Sequence, residues 1–218
     1  MSLLMWRQDP DSIQIVTDTL STDMQGNARN FQSKCWPMPH LKLAMAGTGL
    51  ASVLETWHTT LQQGMLSRDI TMLNNHAPSA LRRIWTHTLS NLELPADARP
   101  TVSLYHFGLD EPTAALVRYV YRSTRNFEPE FYAEPSFAVK PAPSGGIVDQ
   151  PADLNQMVQL ACQLRQEQDA QPAAQRVSLG GDLVLTVINA DSIITTASIL
   201  RWPDYDSLWN EMSAHVVP

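Results

Sequence analysis

The chain has 218 residues, 44% of them hydrophobic and 17% charged, with a formal net charge of −7. That is enough for one sizeable core and too apolar for a disordered segment, and two cysteines are too few for a disulfide scaffold. No apolar run is long enough to span a bilayer, and no basic stripe offers the phosphate contacts that nucleic-acid binding needs, so neither a membrane nor a nucleic acid is an expected partner.

The start, MSLLMWRQDP, lacks the basic-then-apolar pattern of a secretion signal, so a cytoplasmic protein with Cys35 and Cys162 reduced is expected. Residues 3–8 are apolar enough for a strand. Asp9-Pro10-Asp11-Ser12 is a turn, and residues 13–17 alternate as a returning β-branched strand. Residues 19–30 are polar and read as a loop. Residues 31–37 lead through a turn at Pro37–His40 into a strand at 41–47 that ends in Gly47, with Thr48 as the expected cap of a helix. In that helix Leu50, Val53, Leu54, Trp57 and Leu61 form one stripe, and Gly64 stops it.

A second helical pattern covers 69–91, where Pro78 implies either a kink or two shorter helices. After a loop at 91–100, residues 101–108, 115–124 and 135–141 read as three successive strands. A helix is expected at 151–168 with Pro151 near its start, then strands at 183–188 and 192–200 and a short closing helix around Tyr205, Leu208, Trp209 and Met212. Strands grouped apart from helices imply antiparallel sheets. The expected fold is α+β, one domain over 1–218, with two sheets face to face and helices on their outer faces, a four-layer αββα sandwich.

The common site signatures are missing: no GxxxxGK[ST], GxSxG, HExxH or CxxC occurs, and the six histidines (40, 58, 76, 87, 106 and 215) stand singly. No metal or cofactor is implied. The glycine pairs at 145–146 and 180–181 are weak phosphate-loop candidates. The N-terminus is more informative. A small residue after Met1 favours methionine removal, which leaves a free α-amine on Ser2 with an ordinary pKa of about 7.7–8.0. Serine needs a base to become a nucleophile, and this amine lies on the same residue. Asp18 ends the second strand and Lys34 opens the third, so paired strands bring both toward the start of the first. A buried lysine beside the hydroxyl would favour its alkoxide, Asp18 would hold that lysine, and Gly47 would offer a backbone N–H to an oxyanion.

The stretch from Ser2 to Leu54 resembles the catalytic half of a proteasome β-subunit or the related bacterial ATP-dependent peptidase ring, within the N-terminal-nucleophile hydrolase superfamily. Those families carry an N-terminal threonine, an aspartate sixteen residues on, a lysine thirty-two residues on and an Ala-Gly strand end before the first long helix, matched here by Ser2, Asp18, Lys34 and Ala46-Gly47. The resemblance implies a threonine-peptidase-like endopeptidase with serine as nucleophile, a peptide or amide substrate, and a homo-oligomer, with a ring as one form. An unfoldase partner is left open. The family's DxxSG segment falls at QRVSLGG, where Gln175 replaces the acid and Ser178 keeps a supporting hydroxyl. The helix that follows the SGG-like turn at 144–146 in the family is missing or short. A non-catalytic assembly subunit and a small-molecule amidase on the same fold are the alternative expectations.

Overall fold

The computed structural model describes residues 2–23, 26–64, 67–93, 100–146, 148–172 and 175–214. Met1, His215 and most of the 91–100 connection lie outside the described residues. The architecture is α+β with antiparallel sheets. One five-stranded sheet has the order β10-β1-β2-β11-β12, with β1 at Leu4–Gln8, β2 at Ser12–Asp18, β10 at Ser136–Lys140, β11 at Asp182–Asn189 and β12 at Ile194–Arg201. The other has the order β5-β6-β7-β8-β9, with β5 at Cys35–Met38, β6 at Leu43–Gly49, β7 at Val102–Asp110, β8 at Ala115–Arg122 and β9 at Pro129–Tyr132. A small third sheet pairs β3 (Leu20–Thr22) with β4 (Ala28–Phe31).

Three apolar clusters hold these parts together. Leu4, Trp6, Ile13 and Ile15 of the first sheet meet Ala44, Ala46, Tyr105 and Phe107 of the second. Leu3 and Met5 point the other way, as the period of two requires, and meet Met157, Ala161 and Leu164 of helix α4 (Leu154–Asp169). Met45, Leu104, Val117 and Tyr121 face Trp57 of α1 (Ala51–Gln63), Leu73 of α2 (Ile70–Asn74) and Leu81 of α3 (Ala77–Asn91). The start of β1 is therefore buried on both faces, which is why residues 3–6 read as an apolar run before Arg7 and Gln8.

Several elements differ from their sequence reading. Residues 19–30 are not simply a loop but contain most of the β3–β4 pair. Their polar residues carry no alternation, and the hairpin is held instead by Phe31, which stacks on Tyr205 of α5 (Tyr205–Ala214) at 4.4 Å. β6 continues to Gly49, so Thr48 is a strand residue and α1 starts after Leu50 with no side-chain cap. The 69–91 region is two helices. Asp69 caps α2 by accepting from the Met72 N–H at 2.7 Å, and Pro78 falls in the first turn of α3, where its missing donor costs nothing. The strand at 135–141 does not follow β8 in its sheet. The short β9 takes that place, and β10 crosses over to pair with β1. Asp153, rather than Pro151, sets the start of α4, accepting from the Gln156 N–H at 2.9 Å.

Two predictions follow from this packing. Gly49 turns the chain from β6 into α1 at φ 106°, and a Cβ there would lie 2.0 Å from the Thr101 carbonyl oxygen. Gly49→Ala is expected to destabilise the protein by more than about 1 kcal/mol in urea unfolding, because both backbone strain and a backbone clash oppose it. His106 is fully buried and accepts from Trp57 Nε1 at 2.9 Å. Burial pushes its pKa from 6.5 down to about 3. The unfolded chain therefore takes up a proton first as the pH falls. Stability is whole above pH 6.5 and declines toward pH 3, by at most ~1.4 kcal/mol per pH unit. His106→Gln, which keeps an acceptor for Trp57, should flatten that slope, and an unchanged slope would locate the acid sensitivity elsewhere.

Candidate functional site

The last residue of β2, Asp18, gathers three hydrogen bonds from distant segments. Asp18 is fully buried and sits opposite Leu183 of β11. Its Oδ1 accepts the Leu3 N–H at 2.9 Å and Lys34 Nζ at 2.7 Å, and its Oδ2 accepts the Gly180 N–H at 3.3 Å. Three distant segments thus converge on one carboxylate. Lys34, the residue before β5, is only 6% exposed and also donates to the Leu20 carbonyl at 2.5 Å. Burial lowers its pKa from the ordinary 10.5, and the adjacent Asp18 carboxylate opposes that shift by charge and by hydrogen bond. A buried pair of this kind is tolerated because its remaining lone pairs and protons are satisfied.

Ser2 stands immediately before Leu3, so the bond from the Leu3 N–H to Asp18 fixes the chain start against the end of β2. Ser2 lines a small cleft of about 60 Å³ together with Lys34, Gly47, Trp36, Leu20 and the β3 residues Ser21 and Thr22. Ser2, Lys34 and Gly47 share this cleft, and Asp18 lies behind Lys34. Among the described residues no hydrogen bond joins Lys34 Nζ to Ser2 Oγ. Ser178 does not line the cleft. It is half-buried, two residues before the Gly180 whose N–H reaches Asp18.

Gly47 lies on β6 one residue beyond the last β5–β6 pair, Cys35 with Ala46, so that edge of β6 is open where the cleft begins. A Cβ at Gly47 would lie 2.5 Å from Leu54 Cδ2 and 3.0 Å from the Ser103 carbonyl oxygen. The glycine is therefore required by the packing of α1 as well as by the shape of the cleft.

Sequence reasoning missed several members of the site. Gly180 supplies a donor to Asp18, Leu20 supplies the second acceptor for Lys34, and Trp36, stacked on His58 at 5.5 Å, walls the cleft. The signal for the first was the glycine pair at 180–181. Gly181 has φ 79°, and a Cβ there would lie 2.3 Å from Thr19 Oγ1, so the pair permits close approach of the strand ends.

Other candidate chemistry is weaker. Cys35 is buried, and burial pushes its thiol up to about 12, against a hydrogen bond from Thr186, which disfavours a thiolate. Among the described residues no group of three or more His, Cys, Asp and Glu is placed to hold a metal ion, and no helix is long and apolar enough to cross a membrane. A larger, open groove of about 650 Å³ lies at the other end of β1, but Arg7 there is committed to Asp9 at 2.7 Å and to the Ala152 carbonyl at 2.6 Å.

No family model and no curated protein matches the chain. Solved structures do. Anbu (ancestral beta-subunit) from Yersinia bercovieri matches at 10% identity and TM-score 0.59, over 100% of this chain and 98% of that one. Anbu from Pseudomonas aeruginosa, described as a helical assembly of the Anbu complex, matches at 13% identity and TM-score 0.61, over 98% and 93%. A Gly-1 mutant of Anbu from Hyphomicrobium sp. strain MC1 matches at 10% identity and TM-score 0.62, over 99% and 95%. At these identities the likeness is one of fold. It corrects the resemblance drawn from Ser2 to Leu54. These three structures are described as Anbu, and the strands of this chain form three separate sheets. Membership of the N-terminal-nucleophile superfamily through those two families does not follow.

Breaking the central pair tests its role in the fold. Lys34→Met leaves Asp18 as a buried charge without its cation and is expected to cost about 3–5 kcal/mol in urea unfolding. Lys34→Met combined with Asp18→Asn should recover part of that loss. If the two losses simply add, the pair is not the coupled unit that its 2.7 Å contact implies.

Proposed function

We propose that the chain is an amidohydrolase that uses Ser2 as an N-terminal nucleophile after removal of Met1, acting on a peptide or related amide bond. The observation that carries the reading is the buried Lys34–Asp18 pair, anchored to the Leu3 N–H, beside the cleft that Ser2 lines. The proposal rests on these residues and does not borrow an activity from the proteins of similar fold. It treats residues 1–218 as one domain, and the three apolar clusters favour a four-layer αββα arrangement.

In this mechanism the free α-amine of Ser2 takes the Oγ proton as Oγ bonds to the substrate carbonyl carbon. Lys34, as an ammonium, lowers the cost of negative charge on Oγ. Asp18 is a positioning residue that fixes Lys34 through Oδ1. An ammonium has three N–H donors, and Lys34 spends two on Asp18 and Leu20, leaving one for the cleft. The Gly47 N–H, at the open edge of β6, is the assigned oxyanion donor. The protonated amine then gives its proton to the leaving nitrogen as the C–N bond breaks, and water releases the acyl group from Oγ as a carboxylic acid. Ser178 is assigned a supporting role through the segment that carries Gly180 to Asp18.

The chain is also proposed to self-associate, on the strength of its 98% coverage by a structure described as a helical assembly. A non-catalytic assembly subunit is the second reading. It is favoured by one observation, that both described bonds of Lys34 go to internal acceptors.

The mass of the purified protein separates the two readings. The catalytic reading predicts a chain lacking Met1 and turnover of short fluorogenic amides that rises as the pH passes through about 7.7–8.0, where the α-amine becomes a free base. Ser2→Ala should lower turnover by about 10²-fold or more. A retained Met1 with no turnover, or turnover unchanged in Ser2→Ala, would refute it. Light scattering should find an assembly larger than one chain.

A further inference from the structure

Between the two five-stranded sheets lies a second cluster of polar groups that shares no residue with the Ser2 cleft. Its centre is Arg118 of β8, only 4% exposed. Its Nη1 donates to Gln8 Oε1 at 3.1 Å and to Ser136 Oγ at 3.0 Å, both neutral acceptors. The guanidinium stacks over Trp6 at 5.1 Å and Tyr132 at 4.5 Å. Among the described residues no carboxylate bonds to it, whereas the neighbouring Arg122 is paired with Glu130. Burial pushes the Arg118 pKa down to about 10, with Tyr132 and Tyr105 opposing, so the group stays charged at neutral pH. A buried cation without a counter-charge is costly, and contacts with ring faces offset only part of that cost.

The neighbouring side chains are short of partners too. Arg118 Nε, Trp6 Nε1 and Tyr105 Oη are all buried and have no hydrogen-bond partner among the described residues. They belong to residues in mutual contact, since the Trp6 and Tyr105 rings lie 4.9 Å apart and Arg118 covers Trp6. Lys140 of β10 adds a second cation, with its Nζ 5.5 Å from the centre of the Tyr105 ring. β9 and β10 are the terminal strands of their respective sheets, so Tyr132, Ser136 and Lys140 stand at a seam that opens outward. Three such donors and two cations thus meet at one seam, and the carboxylate of β9, Glu130, is taken up by Arg122, Arg125 and Tyr132.

The geometry points to a binding site for a small oxyanion, a group of the carboxylate, sulfate or phosphate class, at the β9–β10 seam. Arg118 and Lys140 supply the charge, and Trp6 Nε1, Tyr105 Oη and Ser136 Oγ supply donors. Charge-assisted bonds of this kind satisfy the orphaned donors and neutralise the buried guanidinium together.

The test is sulfate titration into full-length protein held in a chloride buffer at constant ionic strength, read as the unfolding temperature. Wild type should show a saturating rise of a few degrees. Arg118→Met should abolish the saturable part, and Lys140→Gln should weaken the half-saturating concentration by ~3-fold or more. Arg201→Gln, which removes an exposed arginine paired with Asp182, should leave it unchanged. If Arg118→Met does not fold, the half-exposed Lys140→Gln decides. An absent or non-saturating effect in wild type would mean that buried water serves the donors and would overturn the site. So would a saturating effect that neither variant moves.

Discussion

Everything at the candidate site depends on one buried ion pair. Asp18 gathers the Leu3 N–H, the Lys34 ammonium and the Gly180 N–H onto a single fully buried carboxylate. Those three donors offset the cost of holding the carboxylate out of water, and the carboxylate together with the Leu20 carbonyl holds Lys34 at the cleft. The pair also ties together parts of the chain that are distant in sequence. The first strand, the entry to the second sheet and the segment before β11 are positioned relative to each other at this point.

The apolar packing explains why the pair can be so well buried. β1 carries Leu3 and Met5 against α4 and Leu4 and Trp6 against the second sheet, so its start is fixed on both faces. The end of β2 beside it is closed by β11, whose approach depends on Gly180 and Gly181. On the other side β6 runs three residues, Gly47 to Gly49, beyond its last pair with β5, and this overhang exposes Gly47 to the cleft. Phe31, stacked on Tyr205, clamps the hairpin that brings Ser21 and Thr22 to the cleft wall. The site is thus assembled from strand ends, and its shape depends on distant packing.

The parts legible in the sequence were those written in local pattern. The β1–β2 hairpin, the apolar stripe of α1 and the stripe of α4 follow from alternation and from spacings of three and four. The spacing of Ser2, Asp18 and Lys34 was legible for the same reason, since hairpins convert sequence separation into proximity. The rest depends on pairing between remote segments. β3 and β4 have no apolar alternation and exist through each other and Phe31. β10 reads as a strand, but nothing local tells it to cross to β1 rather than follow β8. Thr48 looked like a helix cap because serine and threonine commonly are, but Gly49 extended the strand past it. Gly180 could not be recognised as a donor to Asp18, because the link spans 162 residues.

The most direct test of the central claim is to treat the Met1-free protein with an acylating β-lactone and locate the adduct by peptide mass spectrometry. If the buried pair holds Ser2 ready as a nucleophile, one adduct per chain forms on Ser2, and Asp18→Asn, folded by circular dichroism, loses it. Labelling of some other hydroxyl, or labelling of Ser2 that persists unchanged in Asp18→Asn, would contradict it.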